Sequence, residues 1–165
     1  MQPCAKSVQN YLILKLNRKP LIISICLGIL DNILKSYVRY EDFDDFVIIE
    51  NFLEIDLNFN TGIAFGLLRD KAEFTFLLSF LVLIWLIFQF RNIFTNKIEE
   101  YAFVFVLGGA FGNLGERFVN LLNGNNGKVT DFIELLFIPS FNLADSFITI
   151  GISLLIFSEF KNFRN

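Results

Sequence analysis

The stretch Glu73–Phe90, EFTFLLSFLVLIWLIFQF, decides what kind of fold this chain adopts. It is almost unbroken hydrophobic sequence, close to the length a single helix needs to cross a bilayer's hydrocarbon core. The composition agrees. Of 165 residues, 54% are hydrophobic and 22 are Phe, whereas a soluble domain runs nearer about 45–50% apolar.

Working upstream, Lys6, Lys15, Arg18 and Lys19 precede the apolar run LIISICLGIL. That order mimics a signal peptide, but no small-residue cleavage site ends the run. It continues through Asp31 and Lys35 to Val38, which predicts an uncleaved membrane helix over about 20–39 behind a cytoplasmic tail, 1–19. Residues 40–70 form the longest polar section. Within it, the run from Phe52 to Asn58 alternates apolar and polar from Leu53 on, the period of a half-buried strand, and Asn60-Thr61-Gly62 supplies turn chemistry. A small β-sheet outside the bilayer is expected there, followed by the short apolar run IAFGLL.

Downstream, Arg91 to Glu100 reads as a polar link, and a third helix is predicted over about 101–122. Its Gly108, Gly109, Ala110 and Gly112 would let neighbouring helices approach closely. NGNNG at 123–127 is a turn, and a fourth helix spans about 142–160, followed by Lys161 and Arg164. The expected fold is a single-domain, all-α membrane protein, 1–165, with four transmembrane helices and the extracytoplasmic sheet. Four spans place both termini on one side. The basic residues of the tail, the 91–100 link and the C-terminus put that side in the cytoplasm.

Absences narrow the chemistry. The chain has no His and a net charge of -3, which removes histidine-based catalysis and His-ligated metals and gives no reason to expect nucleic acid. Cys4 and Cys26 lie in different settings, so neither a disulfide nor a zinc site is expected. Asp, Glu, Lys, Ser, Thr and Tyr remain. Residues 131–145, DFIELLFIPSFNLAD, set two aspartates around an apolar run at the lip of the last membrane helix, where a carboxylate is costly to keep.

Asp31 and Lys35, four apart, share one helix face and form either an internal ion pair or part of a site. Asn113, Glu116 and Arg117 cluster on a second face, as a structural network or a functional one. Asn142 and Asp145 fit an N-cap and its third helical residue, and Asp131 fits a solvated loop acid equally well. All of them fall on the outer face under the four-span topology.

Together these blocks resemble the lipoprotein signal peptidase (signal peptidase II) family over nearly the whole chain. Asp31-Asn32-Ile33-Leu34-Lys35 matches the family's D-[QN]-x-x-K. Asn60-Thr61-Gly62-Ile63-Ala64-Phe65 matches N-x-G-x-A-F, and Gly108-Gly109-Ala110-Phe111-Gly112-Asn113 matches G-G-A-x-G-N. Val129-Thr130-Asp131-Phe132 and Phe141-Asn142-Leu143-Ala144-Asp145 match V-x-D-F and F-N-x-A-D. Two departures stand out: Glu116 replaces the aspartate before Arg117, adding a methylene, and the segment between Asp131 and Asp145 is short.

The resemblance implies an aspartic endopeptidase of the bacterial cytoplasmic (inner) membrane, with its active site on the extracytoplasmic face and no cofactor or metal. It would cut diacylglyceryl-modified prolipoproteins just before the lipid-modified cysteine, in contact with membrane lipids. Asp131 and Asp145 would be catalytic, and Asp31, Lys35, Asn60, Gly62, Asn113, Arg117 and Asn142 would bind substrate or support the site. Two alternatives stay open. One is a non-enzymatic four-helix membrane protein, a transporter subunit or scaffold, whose acids form structural ion pairs with Lys35 and Arg117. The other is a Ser–Lys peptidase pairing Lys35 with Ser140 or Ser146.

Overall fold

The computed structural model describes residues 18–41, 46–62, 71–89 and 96–164. The tail before residue 18, the IAFGLL run and most of the polar link lie outside them. In chain order the elements are α1 (Arg18–Glu41), β1 (Phe46–Ile49), β2 (Leu53–Asn60), α2 (Ala72–Gln89), α3 (Lys97–Leu122), β3 (Val129–Leu135), β4 (Ile138–Phe141) and α4 (Leu143–Phe163). Three of the helices, Lys19–Glu41, Lys97–Leu122 and Leu143–Phe163, are long and apolar enough to cross a membrane, and Glu73–Phe88 of α2 is apolar but shorter.

α3 is the hub. α1 lays Ser24, Gly28, Asp31, Lys35 and Val38, all buried, along it. That 4-3-4-3 spacing makes one continuous stripe on a helix. The opposite face of α1, including Ile22, Ile25, Ile29 and Ile33, stays exposed on the outer surface of the bundle. Contacts keep a constant offset. The Ser24 hydroxyl donates to the Val104 carbonyl at 3.1 Å, and the Asn32 amide donates to Gly112 at 3.0 Å. α1 and α3 therefore run parallel.

α4 runs antiparallel to α3, and two glycines set how closely. A Cβ on Gly109 would sit 2.3 Å from the Ala144 carbonyl oxygen, and one on Gly151 would sit 2.6 Å from that of Ala102. Only a bare backbone fits there. α2 also lies antiparallel to α3, with Leu83 packed into Phe103, Leu107 and Leu114. Phe76 near its start stacks on Phe118 near the end of α3, centroids 5.8 Å apart.

The sheet differs from the expected one. It is four-stranded and antiparallel in the order β1-β2-β3-β4, so half of it comes from residues 129–141 rather than from 40–70. The third helix also starts earlier, at Lys97, because Asn96 caps it by accepting the Glu99 N–H at 3.1 Å. The sheet gathers at the C-terminal ends of α1 and α3 and the N-terminal end of α4. That end of the bundle gathers Asp31, Lys35, Glu116, Arg117, Asp131 and Asn142, while a smaller buried polar group, Glu99 with Ser158, lies at the opposite end.

Candidate active site

Two elements deliver the two aspartates, and a third, β2, braces the first of them. β3 carries Asp131 opposite Asn58 of β2, next to a bulge between Ile55 and Asn58. Bulges of this kind re-aim side chains at sheet edges and sites. Asn60, opposite Val129, is the diagonal neighbour of Asp131 on the same sheet face. Its amide donates to Asp131 Oδ2 at 3.2 Å, while its own oxygen accepts the Gly62 N–H at 2.9 Å. Asp145 arrives from the first turn of α4, where it completes a capping box with Asn142.

Asn142 ties the acids together. Its side-chain oxygen accepts the Asp145 N–H at 2.9 Å, and its own N–H donates to Asp145 Oδ2 at 3.2 Å. Its amide nitrogen donates to Asp131 Oδ1 at 2.6 Å. Asp145 Oδ1 takes a further hydrogen bond, 2.8 Å, from Asn113 of α3. Asp131 is 4% exposed and Asn142 fully buried. Burial, and then the nearby charge of Asp145, push the Asp131 carboxyl up to about 7, against the pull of the Asn60 and Asn142 hydrogen bonds and of Lys35.

The neighbouring charges serve other partners. Lys35 Nζ lies 2.7 Å from Asp31, 2.7 Å from Asn113 Oδ1 and 3.2 Å from Glu116. An ammonium has three donors, so all are used. Because Lys35 faces the Asn113 oxygen, the Asn113 nitrogen is turned toward Asp145. Asp31 accepts the Ala144 N–H at 2.8 Å, holding α1 to the first turn of α4. Arg117 donates to the carbonyls of Thr61, Gly62 and Gly127 at 3.2, 2.7 and 3.0 Å, binding the two loops that flank Asp131.

All nine sequence-predicted residues therefore meet at one end of the bundle, with Gly62 contributing its backbone. Among the described residues, neither Asp131 nor Asp145 has an ion-pair partner; the salt bridges fall to Asp31 and Glu116 instead. This runs against the scaffold alternative, which needs those acids paired. The Ser–Lys alternative loses its base, since Lys35 is saturated and the Ser146 hydroxyl donates to the Asn142 carbonyl at 3.1 Å. Arg39 and Thr130 were not foreseen; Arg39 donates to Thr130 Oγ1 at 2.6 Å beside Glu116. A cavity of about 350 Å³ lies elsewhere, at the hairpin tips between Phe52, Glu54, Glu134 and Phe137. The site is located by its chemistry, not by that cavity.

Comparison with known proteins identifies the family. Residues 23–161 match the family model described as signal peptidase (SPase) II. The lipoprotein signal peptidase of Staphylococcus haemolyticus (strain JCSC1435) is 32% identical over 149 residues, covering 86% of this chain and 90% of that protein. The lipoprotein signal peptidase of Caldanaerobacter subterraneus subsp. tengcongensis is 39% identical over 105 residues, covering 63% of this chain and 68% of that protein. A bacterial membrane enzyme solved by the in meso method at 2.3 Å resolution superposes with a TM-score of 0.75 at 31% identity, over 87% of this chain and 88% of that one. With the family model matching most of the chain and the Staphylococcus haemolyticus protein matched over 90% of its length, the chain belongs to the signal peptidase II family of membrane peptidases.

Proposed function

We propose that this protein removes signal peptides from diacylglyceryl-modified prolipoproteins, cutting just before the lipid-modified cysteine, with Asp131 and Asp145 as the catalytic dyad. The observation that carries the assignment is the pair of carboxyls held on opposite sides of Asn142 by neutral amide donors, with no counter-ion among the described residues.

Two nearby carboxyls of this kind share a proton and titrate as a pair. Asp131 takes the proton, since burial favours its neutral form near pH 7. The Asn142 N–H, the Asn113 amide and the N-terminus of α4 are directed at the Asp145 carboxyl, which gives it the base's role. Asp145 removes a proton from water as the water attacks the scissile carbonyl, and Asp131 donates its proton to the carbonyl oxygen. When the tetrahedral intermediate collapses, the amine leaves with a proton and the acid pair returns to its starting state. Asn60 and Arg117 hold the β2 end and its loop where the substrate backbone would lie.

The same proposal includes the topology. α1 and α3 run parallel, so the chain between the sheet and the start of α3 must return through the bilayer, and α2 is the helix that does so. Its 18 residues measure about 27 Å at 1.5 Å per residue, near the hydrocarbon thickness of about 30 Å. Four spans then leave both termini in the cytoplasm and the sheet at the outer face of the inner membrane, with 1–165 acting as one domain. The exposed Phe and Ile side chains of the helices meet lipid and the substrate's acyl chains.

The test is inhibition. Purified protein should cleave a lipid-modified precursor peptide and be blocked by a transition-state mimic of aspartic proteases. Cleavage that resists such a mimic but disappears in Lys35→Met or Ser146→Ala would reinstate the Ser–Lys scheme. Absence of cleavage of any lipidated peptide would favour the scaffold.

A further inference from the structure

Beside the dyad lies a second buried cluster that the chemistry does not use. Glu116, 4% exposed, accepts both donors of Thr130: the backbone N–H on Oε2 at 3.0 Å and the hydroxyl on Oε1 at 2.6 Å. Lys35 lies 3.2 Å from Oε2, and Arg39 pairs with Oε1. Thr130 is fully buried and immediately precedes Asp131.

The strand explains why Thr130 needs such a partner. β3 pairs with β4 only around Ile133 and Leu135. At Thr130 that side of the ladder is empty, and side chains replace the missing strand. Glu116 takes the N–H, while the Thr130 carbonyl accepts the Asn142 amide at 3.3 Å. That amide is the one that donates to Asp131 at 2.6 Å. Just beyond, the β2 ladder is interrupted by the bulge. The backbone at Asp131 is therefore aimed by Glu116 as much as by regular pairing.

We propose that Glu116 is a positioning residue for Asp131, acting through its reach, with Arg39 as its counter-ion; this rests on the assignment of Asp131 to the dyad. Reach and charge separate cleanly. Aspartate keeps the charge but falls short by about one carbon–carbon bond, ~1.5 Å, and cannot hold both Thr130 donors while lying near Lys35. Glutamine keeps the length and loses the charge. Its oxygen still accepts the Thr130 N–H, and its amide donates to a Thr130 hydroxyl turned away.

The test compares full-length Glu116→Asp, Glu116→Gln and Thr130→Val with the unaltered protein on a lipid-modified precursor peptide, recording kcat, KM and the thermal midpoint. Glu116→Asp should lower kcat on the order of tenfold to a hundredfold with KM little changed, the scale expected for a misplaced reacting group. Glu116→Gln should retain more kcat than Glu116→Asp. Thr130→Val, which keeps the carboxylate with Lys35 and Arg39 beside it and removes only the hydroxyl that Arg39 and Glu116 share, should lower kcat in the same way and stands in if a Glu116 variant fails to fold. Aspartate outperforming glutamine, or kcat per folded molecule unchanged in the variants that fold, would overturn the proposal. Asp131→Asn is the reference. If it still cleaves, the dyad falls and the positioning role with it; if it is dead while the Glu116 and Thr130 variants match the unaltered protein, only the positioning role falls.

Discussion

Asn142 is the residue through which the two acids meet, and its two jobs can be separated. As an N-cap it satisfies the first turn of α4, and losing such a cap costs about 1 kcal/mol. As the donor to Asp131 it fixes the carboxyl at 2.6 Å. Asn142→Ala should lower the thermal midpoint modestly but kcat far more, measured on the same preparation. A second prediction concerns pH. The folded Asp131 carboxyl sits at about 7, above its ordinary value of 3.8, so the group binds its proton more tightly in the folded state. Its stabilising contribution is fully present below about pH 4 and is lost as pH rises through about 7. The difference in thermal midpoint between the unaltered protein and Asp131→Asn should therefore shift in favour of Asp131→Asn from pH 5 to pH 8. A difference independent of pH would contradict the assignment. Asp131, Asp145 and the amides that meet around them were named from the sequence because their motifs are local and resemble the family's. Arg39 and Thr130 were not, since their roles arise only where β3 lacks a neighbour.

At the scale of elements, the helices were legible because uninterrupted apolar runs need no long-range information. The strand that carries Asp131 and the one that follows it were not, whereas β2 was expected from its alternation. Val129 to Phe132 are all buried, so β3 lacks the alternation that marks a strand. β4 is four residues long and contains Pro139, which its edge position tolerates. Their turn has no glycine or asparagine, and Leu136 adopts a φ of 53°, where sequence signals predict neither. The glycine contacts make the sharpest prediction here. Gly109→Ala would press a Cβ onto the Ala144 carbonyl, one residue before Asp145. Overpacking of this kind costs typically about 1–3 kcal/mol, and it should displace the first turn of α4. Both the thermal midpoint and kcat should fall. Gly115→Ala, whose Cβ would meet only the Asn32 amide at 3.8 Å, should leave both nearly unchanged.

For the whole molecule, the proposed four-span topology puts the sheet and the two aspartates, which share one end of the bundle, on one face of the membrane. Single cysteines introduced at Lys128 and at Lys161, in a Cys4→Ser, Cys26→Ser background, should label from opposite sides. An impermeant reagent should reach the first from outside intact cells and the second only after the membrane is opened. Labelling of both from one side would break the four-span topology. The catalytic claim has its own direct measurement: cleavage of a lipid-modified precursor by purified Asp131→Asn and Asp145→Asn, each shown to be folded. The account predicts that both accumulate uncut precursor, with rates down by several orders of magnitude. Processing at the unaltered rate by either variant would contradict it.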